Sequence, residues 1–410
     1  MRTVKRNPFL SGVCAILGGL FLWVGAARAD VASDRAAAIL VVPKVVFDSN
    51  GRFSPNDKPT DTEIQITNVS NQPVNVRCFY VDAVSHCSNS PSDACFTTLD
   101  CQTFGAGGIC VPGWVETDFA FTLTPHQPIV WQASGGLASL PDGETVLAGN
   151  SGSIPRVGED PFFGELKCIE VDANEAPTDQ NDLKGEATIV AADTGGIDAR
   201  GYNAIGVEAI PGINDGNNTL VLGGSDAEYN GCPSVLILDH FFDDAVEPIT
   251  GDSVKTHLTL VPCSEDFQNQ ATFFTTVQLL VFNEFEQRFS ASRPLNCFHE
   301  FELCSLGLQT DRPIDDTDPA SQSCQRSIFS AFVQGTLTGQ TRIRGTSSGQ
   351  PSNFGGGAED PGNGLLGVAE EFFRDDATDL DSVVTSDAFN IDQSGERTTP
   401  DFIILPAATH

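Results

Sequence analysis

The sequence predicts an all-β protein of two antiparallel β-sandwich domains with long loops braced by disulfides. Three observations predict it. Strand-length segments rich in Val, Ile, Thr and Phe recur along the chain, separated by clusters of Gly, Pro, Asn and Asp. No segment longer than about ten residues repeats its apolar residues at helical spacing, so the crossover helices of an α/β fold are missing. The chain beyond its N-terminal segment runs to about 380 residues, more than one hydrophobic core usually organises, which sets two domains as the expectation.

Residues 1–29 read as a signal peptide. Arg2, Lys5 and Arg6 precede an apolar run at 9–24, and Ala27-Arg28-Ala29 has the small-x-small form of a cleavage site. The expected location is therefore the periplasm, the cell surface or the medium. No later stretch approaches the roughly 20 apolar residues of a membrane helix, so no integral membrane segment is expected after cleavage.

The first domain is placed at 30–248, with strands at 39–47, 63–68, 74–81, 119–124, 129–132, 165–171, 185–191, 204–209, 219–222 and 235–239. Its clearest unit is Ile64-Gln-Ile-Thr-Asn-Val-Ser-Asn-Gln-Pro-Val-Asn-Val-Arg-Cys-Phe-Tyr80, two alternating strands around a polar turn at 70–73, which reads as a hairpin. Together with Phe119-Ala-Phe-Thr-Leu-Thr-Pro and Trp131, this unit resembles the immunoglobulin-like sandwich modules of bacterial exported proteins. The resemblance implies a sandwich and no activity.

Residues 87–110 form a cysteine-rich insert, CSNSPSDACFTTLDCQTFGAGGIC, with too little apolar content to hold a shape by burial. It resembles short disulfide-looped inserts of secreted proteins in some Gram-negative bacteria. With Cys14 removed in the signal peptide, eleven cysteines remain as disulfide candidates: Cys78, Cys87, Cys95, Cys101, Cys110, Cys168, Cys232, Cys263, Cys297, Cys304 and Cys324. Their pairing is not fixed by spacing, and the odd count leaves one over. Zinc is the alternative for the insert, but CxxC pairs are lacking.

The second domain is placed at 249–410, with strands at 256–261, 273–284, 295–303, 328–342 and 365–370 and a Gly-, Ser- and Pro-rich loop at 344–363. Val281-Phe-Asn283 leading to Cys297-Phe298 echoes Ile66-Thr-Asn68 leading to Cys78-Phe79, as a duplication would.

Charge excludes one function class. Removing the signal peptide leaves 18 basic against 55 acidic residues, a net charge of −37, which repels nucleic acid. Calcium is a candidate loop stabiliser at 172–182 and 215–218, although neither has the spacing of a calcium-binding loop. Asp239, His240, Asp243 and Asp244 put an imidazole and carboxylates at a strand end, the donor set of a divalent-ion site. Glu284, Glu286, Glu300 and Glu302 lie in two i, i+2 pairs; on paired strands they would share one sheet face, as the acid and base of a glycoside hydrolase must. Arg288 and Arg293 are near enough in sequence to balance them instead. His86-Cys87 and Gly149-Asn-Ser151-Gly resemble fragments of a trypsin-like protease, but no orienting Asp completes a triad.

The functional expectation is a non-enzymatic surface, matrix or adhesion-like protein that binds a protein or glycan partner. A secreted glycan hydrolase and a calcium-dependent adhesin are its alternatives.

Overall fold

A computed structural model describes residues 31–32, 34–51, 58–95, 101–102, 107–111, 113–137, 153–193, 196–243, 245–247, 249–270, 274–296, 298–306, 326–346, 363–375 and 383–407. The signal segment, Asp244, Cys297, Cys324 and most of the 344–363 loop lie outside the described residues.

The expected all-β class is what forms. The chain is nearly all strand; Leu303–Leu306 and Ala331–Gln334 are helical for one turn each. Two self-contained immunoglobulin-like sandwiches, however, do not form. Five small sheets stand around shared cores in a propeller-like ring, and the insert adds a sixth.

A six-stranded sheet runs in the order Val31–Ala32, Ile205–Val207, Ile39–Phe47, Phe162–Val171, Val74–Asp82, Val115–Leu123. The N-terminal four-stranded sheet is Gly196–Asn203, Leu183–Asp193, Thr60–Asn68, Pro128–Gln132. A five-stranded sheet runs Arg288–Asn296, Phe274–Asn283, Thr338–Thr346, Pro233–Phe241, Asp392–Glu396. The C-terminal four-stranded sheet is His299–Glu302, Ser253–Pro262, Leu365–Arg374, Val383–Asn390. Thr219–Leu222, Asp401–Ile404 and Glu265–Asp266 make a three-stranded sheet.

The reason for the departure lies in the strand Ile39–Phe47, ILVVPKVVF, which is buried on both faces. Leu40 and Val42 join Ile64, Ile66, Phe121 and Trp131 in one apolar cluster. Ile39 and Val41 join Phe79, Leu220, Val261, Phe267 and Ile403 in a second, which draws on both ends of the chain. A third cluster lies between the five-stranded and C-terminal four-stranded sheets, around Leu238, Leu258, Val277 and Ile343. A sheet buried on both faces cannot form the outer wall of a two-layer sandwich.

The predicted hairpin is also corrected. Thr60–Asn68 enters the N-terminal four-stranded sheet and Val74–Asp82 the six-stranded sheet, so the two strands face each other across the first cluster without pairing. Asn68 holds this arch, its Nδ2 donating to the carbonyls of Gln72 at 2.7 Å and Thr124 at 3.0 Å while its Oδ1 accepts from Ser70 N at 2.8 Å. The echo at Asn283 turns differently: Phe274–Asn283 pairs directly with Arg288–Asn296. The strand expected at 328–342 begins only at Thr338, because Ser330 caps a helical turn that Gly335 ends in the left-handed region at φ 67°.

Four disulfides are resolved between described residues: Cys78–Cys168, Cys87–Cys101, Cys95–Cys110 and Cys232–Cys263. Cys304 is disulfide-bonded as well. The insert's buried cluster consists of its cysteines, as its composition requires. Closing two loops of 14 and 15 residues stabilises by roughly 3 kcal/mol each.

Candidate functional site

Strand alternation aims the even-numbered residues of Phe274–Asn283 out of the five-stranded sheet, because the odd ones, Val277, Leu279 and Val281, fill the third cluster. Register then assembles the outer face row by row. Phe282 stands beside Arg288 and Gln340, Leu280 beside Ser290 and Arg342, and Gln278 beside Ser292 and Arg344. Gln278, Ser290, Ser292, Arg342 and Arg344 help line a groove of ≈ 720 Å³. The Arg342 guanidinium sits 5.7 Å from the Phe282 ring centre, a favourable cation–π placement. Among the described residues no carboxylate pairs with Arg288, Arg342 or Arg344. Asp239, beside Gln340, and Asp392, beside Ile237, share this outer face with the three arginines without pairing with them. The face offers fixed donors for an anion and an apolar floor beside them.

The glutamates expected to share a face are kept apart. Glu284 and Glu286 lie at the turn closing the Phe274–Asn283 hairpin, whereas Glu300 and Glu302 lie on the edge strand of another sheet. Glu284 accepts from Thr338 N at 3.1 Å and Oγ1 at 2.9 Å, contacts that hold its carboxyl below the usual range. Glu302 pairs with Lys255 at 2.5 Å. Arg293 donates to the carbonyls of Leu306 at 3.3 Å and Ser305 at 3.4 Å.

The proposed divalent-ion ligands are likewise separated. Asp239 points outward and accepts from Gln340 Nε2 at 2.9 Å, while His240, the next residue, points inward. His240 lies between Phe242 and Phe329 with Nε2 2.8 Å from Thr341 Oγ1, and burial drives its pKa down to about 4. Asp243 is buried and accepts from Cys304 N at 3.0 Å. The acidic loops serve as turn caps: Asp172 Oδ1 accepts from Asn174 N at 2.7 Å and Ala176 N at 3.0 Å, and Asp215 Oδ1 from Asn217 N at 2.9 Å. Among the described residues, every convergence of three ligand-type atoms includes a disulfide-bonded cysteine. His86 Nε2 lies 2.8 Å from Glu159 Oε2, and Ser151 is outside the described residues.

Two buried charge clusters escaped the sequence reading. In the first, Lys44 Nζ contacts Glu370 and lies 2.8 Å from Glu300, Arg200 Nε lies 2.5 Å from Glu370, and His257 Nδ1 lies 3.3 Å from Glu300. Burial pushes the Glu370 and Glu300 carboxyls up, but Lys44 above all holds both below the usual range. In the second, Lys167 Nζ lies 3.1 Å from Glu165 and 2.5 Å from Glu265 and donates to Pro262 O at 3.2 Å, while Trp114 Nε1 donates to Glu265 Oε1 at 3.0 Å. Here burial wins and drives Glu165 up to about 8. Lys44 had a signal, a lone charge in the apolar run VVPKVVF; Glu165 and Lys167 lie in the strand expected at 165–171, where polar and apolar residues alternate.

No family model matches this chain, and no curated protein matches it. Among solved structures, the crystal structure of the CupB6 tip adhesin from Pseudomonas aeruginosa aligns over 88% of this chain and 99% of that one, at 11% identity and a TM-score of 0.12. At that TM-score the likeness carries no weight for fold or function.

Proposed function

We propose that the protein is an exported, non-enzymatic binding protein whose five-stranded sheet takes a carboxylate-bearing glycan on its outer face. The observation that carries this is the set of Arg288, Arg342 and Arg344 on one face, with Gln278, Ser290 and Ser292 between them and Phe282 beside them. Guanidinium groups bind carboxylates in a forked geometry, neutral polar side chains suit sugar hydroxyls, and an aromatic edge suits a sugar ring. The net charge of −37 without the signal segment opposes a polyanion at long range, but at physiological salt that repulsion fades beyond about 8 Å and contact terms decide. Disulfides fit an exported protein. The hydrolase alternative has against it the separation of Glu284 and Glu286 from Glu300 and Glu302.

The test is calorimetric titration with polygalacturonate oligosaccharides against neutral dextran oligosaccharides. Binding of the uronate alone is expected, weakened roughly tenfold or more in an Arg342→Ala/Arg344→Ala double variant. Equal binding by the double variant, or none by the unaltered protein, ends the proposal.

A further inference from the structure

The Lys167 cluster is built differently from an ordinary buried ion pair. Glu165, Lys167 and Glu265 are 0%, 0% and 1% exposed, and they sit within the second apolar cluster, where Phe79 and Phe267 stack at 4.1 Å. One ammonium faces two carboxyls, so one carboxyl is left over. No donor among the described residues reaches Glu165 Oε2, while Oε1 accepts from Lys167 Nζ at 3.1 Å. The leftover carboxyl therefore holds a proton, as two carboxylates beside one cation in an apolar site require. Trp114 Nε1, meanwhile, donates to the Glu265 oxygen that Lys167 does not hold.

These four groups are the parts of an acyl-transfer site: an amine, a carboxyl carbon beside it, a donor on the oxygen where charge develops, and a proton-bearing acid. We propose that Lys167 and Glu265 condense to an amide, cross-linking Phe162–Val171 to Glu265–Asp266, with Glu165 as the proton relay. The ammonium first passes a proton to the Glu265 carboxylate across the 2.5 Å contact. The freed amine adds to Glu265 Cδ, and the charge arising on Oε1 is held by the Trp114 N–H. Glu165 then gives its proton to the departing Oε2 hydroxyl, which leaves as water, and takes one from the nitrogen. One C–N bond forms and one C–O bond breaks; Glu165 ends as it began, and no oxidant or cofactor is consumed. The drive is the replacement of a costly buried ion pair by a neutral amide, with water expelled from an apolar interior.

Lys44 provides an internal contrast. Its carboxyl partners are held ionised by two cations, Lys44 and Arg200, so no acid is available to protonate a leaving oxygen, and the pair stays ionic.

The experiment is intact-mass spectrometry of the full chain, reduced and alkylated under denaturing conditions, followed by protease mapping. The expected mass is one water below that of the unlinked chain, with a branched peptide joining Lys167 to Glu265. Full mass with linear peptides at both residues overturns the proposal, and so does a branch at Lys44 instead. A Glu165→Gln variant, isosteric but unable to relay a proton, is expected to show the unlinked mass with its disulfides intact; a fully linked variant overturns the relay. Should that variant fail to fold, the peptide map of the unaltered protein decides alone.

Discussion

The Lys44 and Lys167 clusters occupy similar positions, each with a lysine buried in the six-stranded sheet and reaching a glutamate that pairs elsewhere. Their charge balance is opposite. Around Lys44, Lys44 and Arg200 meet Glu300 and Glu370, with Asp198 at 3.6 Å from Arg200, and the two glutamate carboxyls are driven down; around Lys167 one cation meets two carboxyls, and Glu165 is driven up to about 8. Burial alone does not decide the ionisation of a carboxyl. The cations within reach decide it too, because an opposite charge a few ångströms away favours the ionised carboxyl against the cost of its burial.

The largest effect that would break this contrast is on stability. Lys44→Met is expected to cost about 3–5 kcal/mol in chemical unfolding, since it strands Glu370 and Glu300 in the interior. A loss under about 1 kcal/mol would mean that Arg200 and His257 suffice. Next comes the pH dependence, where the clusters must pull in opposite directions. Where Lys167 and Glu265 are still unlinked, the raised Glu165 contributes stability that is full below about 4.5, its ordinary value, and is lost as pH rises toward 8. The lowered Glu300 and Glu370 contribute stability that is present above their ordinary values and is lost as pH falls below them. Urea midpoints measured across this range should fall at both ends. Glu300→Gln should flatten only the acid limb. Trp114→Phe, which removes the donor to Glu265 but keeps a ring, should cost roughly 1–3 kcal/mol, read from thermal melts. The smallest effect belongs to the surface: Arg342→Ala/Arg344→Ala should shift stability by no more than about 0.5 kcal/mol per site while weakening uronate binding. A larger shift in the melt would turn that face from a binding surface into a structural one.

How far these sites were legible depends on what alternation can say. The strand Ile39–Phe47 and the pair at Asn68 were read as strands, correctly. Period-two patterning fixes which side of a strand is apolar but not which strand lies beside it, so an arch between two sheets looked like a hairpin within one. The same ambiguity hid Glu165 and Lys167, whose polar alternation marks solvent on most strands and here faces a second core. The bulge nearby lies in the other strand, between Val42 and Val45 opposite Glu165, while Phe162–Val171 keeps unbroken register with Val74–Asp82. The arginine face was missed for a simpler reason: Arg288 was read against its sequence neighbours Glu284 and Glu286, whereas register set it beside Phe282, in line with Arg342 and Arg344.

By itself, the sequence determined the all-β class, the dependence of the 87–110 insert on its cysteines and the acidic surface, because each follows from composition and local spacing. Only the tertiary structure decided that the sheets share cores, that four glutamates are divided between two sheets, and that two lysines meet unequal numbers of carboxylates. Those outcomes depend on contacts between residues as far apart as Lys44 and Glu370 or Lys167 and Glu265, and no local pattern encodes which distant strand closes over a buried charge.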